Sequence, residues 1–251
     1  HLEHRRQRQM CIRDSLTTEQ ILIRSGNIGS VKIAQEVGME KYKLFLSNLG
    51  IIGKINFDIE EIGKPVRFNW GKCPLATASF GHGITTTLLQ VVKAYSIIVN
   101  GGFEVKPVLI KPKQKNKRKK IIDEEVSKKI LPILRKIVAT KDGTAKLANI
   151  AGYEIGGKTG TANKSVKGAY VKKKVNTFVS VFPTSKPKFI LAVMLDEPEI
   201  NEDYIYEYRD GSNFKLKGSP RNTAGWNSVE AAGHILEKIG PILATKYSEI
   251  N

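Results

Sequence analysis

Gly156-Gly157-Lys158-Thr159-Gly160-Thr161-Ala162 is the stretch on which the reading of this chain turns. It sets a cation, two hydroxyls and a side-chain-free glycine in consecutive positions, ahead of two apolar runs at 176–182 and 189–195 that read as strands joined by a turn. On an extended strand Lys158 and Gly160 face one way while Thr159 and Thr161 face the other. Gly160 lets another backbone approach closely, neighbouring amide hydrogens can stabilise a developing oxyanion, and Lys158 adds fixed positive charge. A surface strand whose threonines serve only β-propensity is the plain alternative.

The text upstream supplies an order. Leu16-Thr17-Thr18-Glu19-Gln20-Ile21-Leu22 leads into Ser25-Gly26-Asn27-Ile28-Gly29 and Lys32-Ile33-Ala34. Phe80-Gly81-His82-Gly83-Ile84 precedes Leu89-Gln90, Ala94-Tyr95 and Asn100-Gly101-Gly102. Gly143-Thr144-Ala145 precedes Ala151-Gly152-Tyr153 and the lysine element, and Leu195-Asp196-Glu197-Pro198 closes the last of the strands. A serine-x-asparagine element followed by K-T-G belongs to the signature set of penicillin-binding proteins and class A β-lactamases. The ordered series resembles the transpeptidase domain of class B penicillin-binding proteins, most closely the division-specific, septal subgroup, over residues 16–241.

That resemblance implies an α+β fold, an antiparallel sheet flanked by helices, β-lactamase/transpeptidase-like and incomplete on its N-terminal side. The implied reaction is acyl transfer through a serine ester. A serine attacks the penultimate D-alanine carbonyl of a peptidoglycan stem peptide, the terminal D-alanine leaves, and an amino group of a neighbouring strand takes the acyl group. β-Lactams mimic the D-Ala-D-Ala end. By the same resemblance Ser25 relays a proton, Asn27 hydrogen-bonds the acyl-side amide, and Lys158 supports the relay. Thr159, Gly160 and Thr161 bind the substrate, the two hydroxyls holding its terminal carboxylate. Ser-Gly-Asn is also a common interhelix turn in its own right. The resemblance implies no cofactor and no metal. Its implied partners are stem peptide, β-lactams, divisome proteins and a glycosyltransferase. Its implied location is the periplasmic face of the inner membrane, with an anchor ahead of the matching region.

The serine of S-x-x-K, which the family reaction uses as nucleophile, has no counterpart upstream of Ser25. Ser185-Lys186-Pro187-Lys188 fits the spacing but falls in the expected turn between the last two strands, where its proline belongs. Ser212-Asn213-Phe214-Lys215 lies in a polar stretch without helical period. Residues 1–15 begin with histidine, show no apolar period and read as a non-native leader, leaving 16–251 as the C-terminal part of a transpeptidase domain. A genuine basic arm is the alternative for 1–15.

With 251 residues and 41% hydrophobic content the chain can bury a core, and no long Pro/Gly/Ser linker divides it. Its net charge of +17 raises nucleic-acid binding as a possibility. The densest basic run, 111–120, offers no aromatic residue for base stacking, which argues against nucleic acid as the partner. Of two cysteines, Cys11 sits in the leader and Cys73 reads as buried and inert, so no disulfide framework or metal spacing follows. His82, between two glycines and with no carboxylate partner in sequence, reads as a loop residue leading into a helix. Trp226 and the tyrosines of 204–208 fit either packing or a docking surface. A hydrolytic relative, β-lactamase or D,D-carboxypeptidase, is the enzymatic alternative, although no E-x-x-L-N run of class A lactamases lies between Ser25 and Lys158. A penicillin-binding sensor or structural partner is the non-enzymatic one.

Periodicity predicts helices at 17–24, 30–37, around Tyr42, Phe45, Leu46 and Leu49, and from the threonines 85–87 to Gly101-Gly102. Residues 51–73 read as irregular and 105–110 as extended. A helix at 123–139 is expected to bury Val126, Ile130, Ile133 and Ile137, with Pro132 kinking or shortening it. Residues 201–222 read as a polar surface excursion, and 228–239 as a closing helix.

Overall fold

A computed structural model describes residues 15–59, 69–110, 118–166, 169–218 and 221–248. Of the expected leader, all but Ser15 lies outside these, as do Cys11 and residues 111–117 of the basic run.

Strands β1 (Gly156–Val166), β2 (Ala169–Phe182) and β3 (Phe189–Asp196) form an antiparallel sheet in the order β1-β2-β3. β2 is the central strand and is buried on both faces. Phe178, Ser180 and Val181 are fully buried and Val179 nearly so, and a strand reads this way only when layers cover both sides. Helix α6 (Glu124–Ala139) packs on β1 and α7 (Ser228–Ser248) on β2 and β3. Leu134, Ile137 and Val138 of α6 share one core with Val229, Ala232 and Leu236 of α7 and Phe178, Val181 and Phe182 of β2. Gly156 makes the α6–β1 seam possible, because a Cβ there would sit 3.0 Å from backbone atoms of both Leu134 and Arg135. The architecture is the expected one of helices around an antiparallel sheet.

The front of the chain is helical. α1 (Thr18–Arg24) begins with a reciprocal capping box between Thr17 and Gln20. α2 (Asn27–Val37) starts three residues before the expected Ser30, and α3 (Met39–Leu49) ends at left-handed Gly50. α4 (Lys72–Ala78) was not foreseen; Pro74 lies in its first turn, where no intrahelical N–H is required. α5 (Leu88–Val99) carries a second capping box, Thr87 with Gln90. The buried Gln90 amide also donates to the carbonyls of Gly50 and Gly53, both at 2.9 Å, tying α5 to the end of α3.

Several expectations are corrected. Residues 105–110 join no strand ladder; the pairing beside them is a single bridge between Phe103 and Lys120, and Leu109 and Ile110 are exposed. α6 passes through Pro132 unshortened. Ile137 is buried and Ile130 and Ile133 pack against the same core, as expected, but Val126 is exposed and Ser127 is buried in its stead, its hydroxyl donating to the Ile98 carbonyl of α5. α7 continues beyond Ile239 and through Pro241. Cys73 is exposed, not buried.

The polar excursion is more ordered than its composition suggests. β4 (Ile205–Glu207) and β5 (Lys215–Lys217) pair as an antiparallel ribbon. Tyr206 is buried with its ring edge-on to Tyr204 and Trp226 at 4.8 and 5.1 Å, so these aromatics act in packing. Arg209 forks onto Glu230 of α7 at 2.9 and 3.0 Å, with both side chains almost fully buried.

Candidate active site

α1 ends at Ser25, a non-glycine residue in the left-handed region (φ 58°, ψ 47°). Such a conformation costs of order 1 kcal/mol and persists where the surroundings enforce it. Here the Gly26 N–H reaches back to the Ile21 carbonyl at 2.9 Å, closing the helix and turning the Ser25 hydroxyl outward. Asn27 follows at once as the first residue of α2.

The two separated stretches meet. The Lys158 ammonium donates to Ser25 Oγ at 2.6 Å across 133 residues of sequence, and to the Thr159 carbonyl at 3.2 Å. Burial pushes the Lys158 pKa down to about 8. At that value the amine exchanges its proton near neutral pH, next to a hydroxyl able to pass it on.

Ser25, Asn27, Thr159, Gly160 and Thr161 line one cleft of about 660 Å³. Lys158 is not among its lining residues, consistent with the strand alternation that sends it the other way from the two threonines. The threonine hydroxyls are held. Thr159 Oγ1 lies 2.8 Å from Thr144 Oγ1, and Thr161 Oγ1 accepts from the Ala224 N–H at 3.0 Å, which leaves its own hydrogen for a ligand. Among the described residues β1 is an edge of its sheet, so alternate backbone groups point away from β2.

Other residues of the cleft were not foreseen. Thr144 enters from the loop after α6, Lys146 from the short 3₁₀ turn Lys146–Ala148, Lys174 from β2 and Arg221 from the segment before α7. Thr144 stood in a quoted motif, but nothing in sequence tied it to Thr159. His82 also lines the cleft, stacked on Tyr170 of β2 with ring centroids 4.5 Å apart, and no hydrogen bond joins it to Ser25 or Lys158 among the described residues. The two serines that fit S-x-x-K elsewhere do not line it. Ser185 lies in the β2–β3 turn, its N–H on Glu154, and Ser212 in the β4–β5 turn, its N–H on Asp210. Among the described residues no group of three or more His, Cys, Asp or Glu is arranged to hold a metal.

The chain is 28% identical over 243 residues to the probable peptidoglycan D,D-transpeptidase FtsI of Caulobacter vibrioides, covering 92% of this chain and 39% of that protein. It is 32% identical over 193 residues to the probable peptidoglycan D,D-transpeptidase PbpC of Pseudomonas aeruginosa, covering 74% and 34%. It therefore spans little more than a third of these relatives' length. The transpeptidase domain of Burkholderia pseudomallei penicillin-binding protein 3 superposes with a TM-score of 0.72 at 24% identity, over 89% of this chain and 65% of that one, and shares its fold. Residues 2–213 match the penicillin binding protein transpeptidase domain as a family, and the chain belongs to that family.

Proposed function

We propose that this chain forms part of a serine-type peptidoglycan D,D-transpeptidase that crosslinks stem peptides, binds β-lactams and serves septal wall synthesis. The observation that carries the reading is the 2.6 Å hydrogen bond from Lys158 to Ser25 beside a cleft lined by Asn27, Thr159 and Thr161.

In this reading a substrate peptide lies along the free edge of β1 with its terminal carboxylate on the Thr159 and Thr161 hydroxyls. Asn27 donates to its acyl-side carbonyl, and the Thr161 N–H faces the oxyanion that forms when the penultimate carbonyl is attacked. The attacking serine, of the S-x-x-K type, is contributed by sequence outside 16–251. As the carbon–nitrogen bond to the terminal D-alanine breaks, Ser25 passes a proton to the leaving nitrogen and is resupplied by Lys158. The resulting ester is resolved by an amine of a neighbouring strand. The enzyme works at the extracytoplasmic face of the inner membrane, alongside divisome proteins and a glycosyltransferase. No helix among the described residues is long and apolar enough to cross a membrane.

The complete gene product should be labelled by fluorescent penicillin at an S-x-x-K serine upstream of residue 16. Lys158→Ala should slow that labelling by about 100-fold or more, the usual weight of a positioned proton-transfer group. Labelling at an unchanged rate in Lys158→Ala would overturn the assignment.

A further inference from the structure

Asn176 is a poor choice for strand stability alone. It is fully buried in β2, opposite Thr161 of β1 in register and therefore on the same face of the sheet. Asparagine is depleted in strands, and Asn176 Oδ1 has no hydrogen-bond partner among the described residues, a cost an apolar β-former would not carry. Its other end leaves the sheet: Nδ2 donates to Asn222 Oδ1 at 2.8 Å. The amides orient one another. Asn222 Nδ2 is committed to the Pro198 carbonyl, so Asn222 Oδ1 is the end that faces Asn176, and it takes a second hydrogen from Asn227 at 3.1 Å.

Asn222 opens a turn that closes on both threonines of the cleft. Its carbonyl accepts from the Lys174 ammonium of β2 at 2.8 Å, and at the far end Asn227 Oδ1 accepts from the Ser228 N–H of α7 at 2.7 Å. Between these anchors, the 3₁₀ turn Ala224–Trp226 presents the N–H of the fully buried Ala224 to Thr161 Oγ1 at 3.0 Å. Gly225 seats the same turn on the loop after α6. A Cβ there would lie 2.7 Å from the Thr144 carbonyl oxygen, and Thr144 is the hydroxyl partner of Thr159. The path thus leaves β2 at Asn176, runs through Asn222 and the turn, and returns to β1 at Thr161.

The returning bond decides what Thr161 can do. A threonine hydroxyl ordinarily donates or accepts as its surroundings ask. One whose oxygen already takes an amide hydrogen has its own hydrogen to offer, and an anionic acceptor answers it best. We propose that Asn176 and Asn222 are positioning residues for a substrate carboxylate. By holding the 222–227 turn they keep Thr161 a donor, and so set the preference of the cleft for a free carboxylate over an esterified one. This rests on the reading of the cleft as an acyl-transfer site that takes a carboxylate at Thr159 and Thr161.

The complete gene product tests this, with benzylpenicillin and its methyl ester as probes and intact mass over time as the measure of acylation rate. The acid should react faster than the ester. Asn176→Val and Asn222→Ala should each lower that acid-to-ester ratio by about 10-fold, the weight of one hydrogen bond. Thr161→Val should lower it at least as far, and adding Asn176→Val to Thr161→Val should lower it no further, because both act through one contact. Ser180→Ala removes another buried polar group from β2, one that donates to the Leu191 carbonyl at 3.1 Å and not to the turn, and should leave the ratio intact. A merely structural role lowers both rates together, so an unchanged ratio in Asn176→Val and Asn222→Ala overturns the proposal. An equal fall in Ser180→Ala, or a fall that adds to that of Thr161→Val, overturns it as well. If Asn176→Val does not fold, Asn222→Ala, which alters only a partly exposed turn, decides alone. Equal rates for acid and ester in the unmodified protein, or no adduct with either, overturn the reading of the cleft itself.

Discussion

Lys158 holds its place at a cost in stability. It is buried enough that its pKa falls to about 8, against an ordinary lysine value of about 10.4. Below pH 8 both folded and unfolded chains carry the proton, and the full penalty of a buried ammonium is present. Between pH 8 and the ordinary lysine range the unfolded chain binds a proton that the folded chain lacks, so stability rises with pH. Wild type should therefore gain melting temperature relative to Lys158→Met between pH 7.5 and 10. Parallel melts with no such gain would show that Lys158 is solvated like a surface lysine. The neighbouring ion pair works differently. Arg209 and Glu230 are both buried, so Arg209→Met strands a carboxylate and should destabilise by about 3–5 kcal/mol in denaturant unfolding, with Arg209→Met/Glu230→Leu recovering most of it. Sequence made Ser25, Asn27, Lys158, Thr159 and Thr161 legible because each group is a contiguous run of unusual composition. Thr144, Lys174 and Arg221 were not legible. Each is a common residue type on its own element, and only the β1–β2 register and the loop before α7 bring them to one wall.

Elements whose ends carry their own chemistry were read correctly, and those defined by tertiary partners were not. α1 and α5 open on capping boxes that sequence displays as Thr17-x-x-Gln20 and Thr87-x-x-Gln90, and α3 closes on Gly50. Thr87→Ala should cost about 1 kcal/mol, the typical value of a lost N-cap, while Thr86→Ala, one residue outside the cap, should cost little; chemical denaturation of the pair measures this. Equal effects would mean the cap contributes nothing beyond threonine's presence in the loop. The first turn of α6 shows why periodicity stops short. Hydrophobicity favours Val126 as the inward residue, but a hydroxyl at Ser127 finds the Ile98 carbonyl, and that partner lies on a different helix. The same limit explains β4 and β5, whose three-residue strands among charged residues are held by Tyr206 and Arg209 packing on Trp226 and α7.

At the scale of the whole molecule the question is which hydroxyl an acylating agent would meet. The sheet and its flanking helices bring Ser25 to the cleft and to Lys158, while Ser185 and Ser212 are carried to turns outside it. Ser25 is thus the one serine among the described lining residues, and its geometry suits relay better than attack. Its oxygen already accepts from the Lys158 ammonium, which stabilises a hydroxyl's lone pair but takes no proton from it until the lysine loses its own. A nucleophile requires the reverse, a base ready to accept, and the lowered pKa of about 8 leaves only a minor fraction of neutral amine at pH 7. Incubation of this chain with fluorescent penicillin at pH 7 should therefore give no denaturation-resistant label. Intact mass before and after incubation decides it. A covalent adduct mapped to Ser25 would make that residue the nucleophile and Lys158 its base, and would require the relay assigned to Ser25 to be given up.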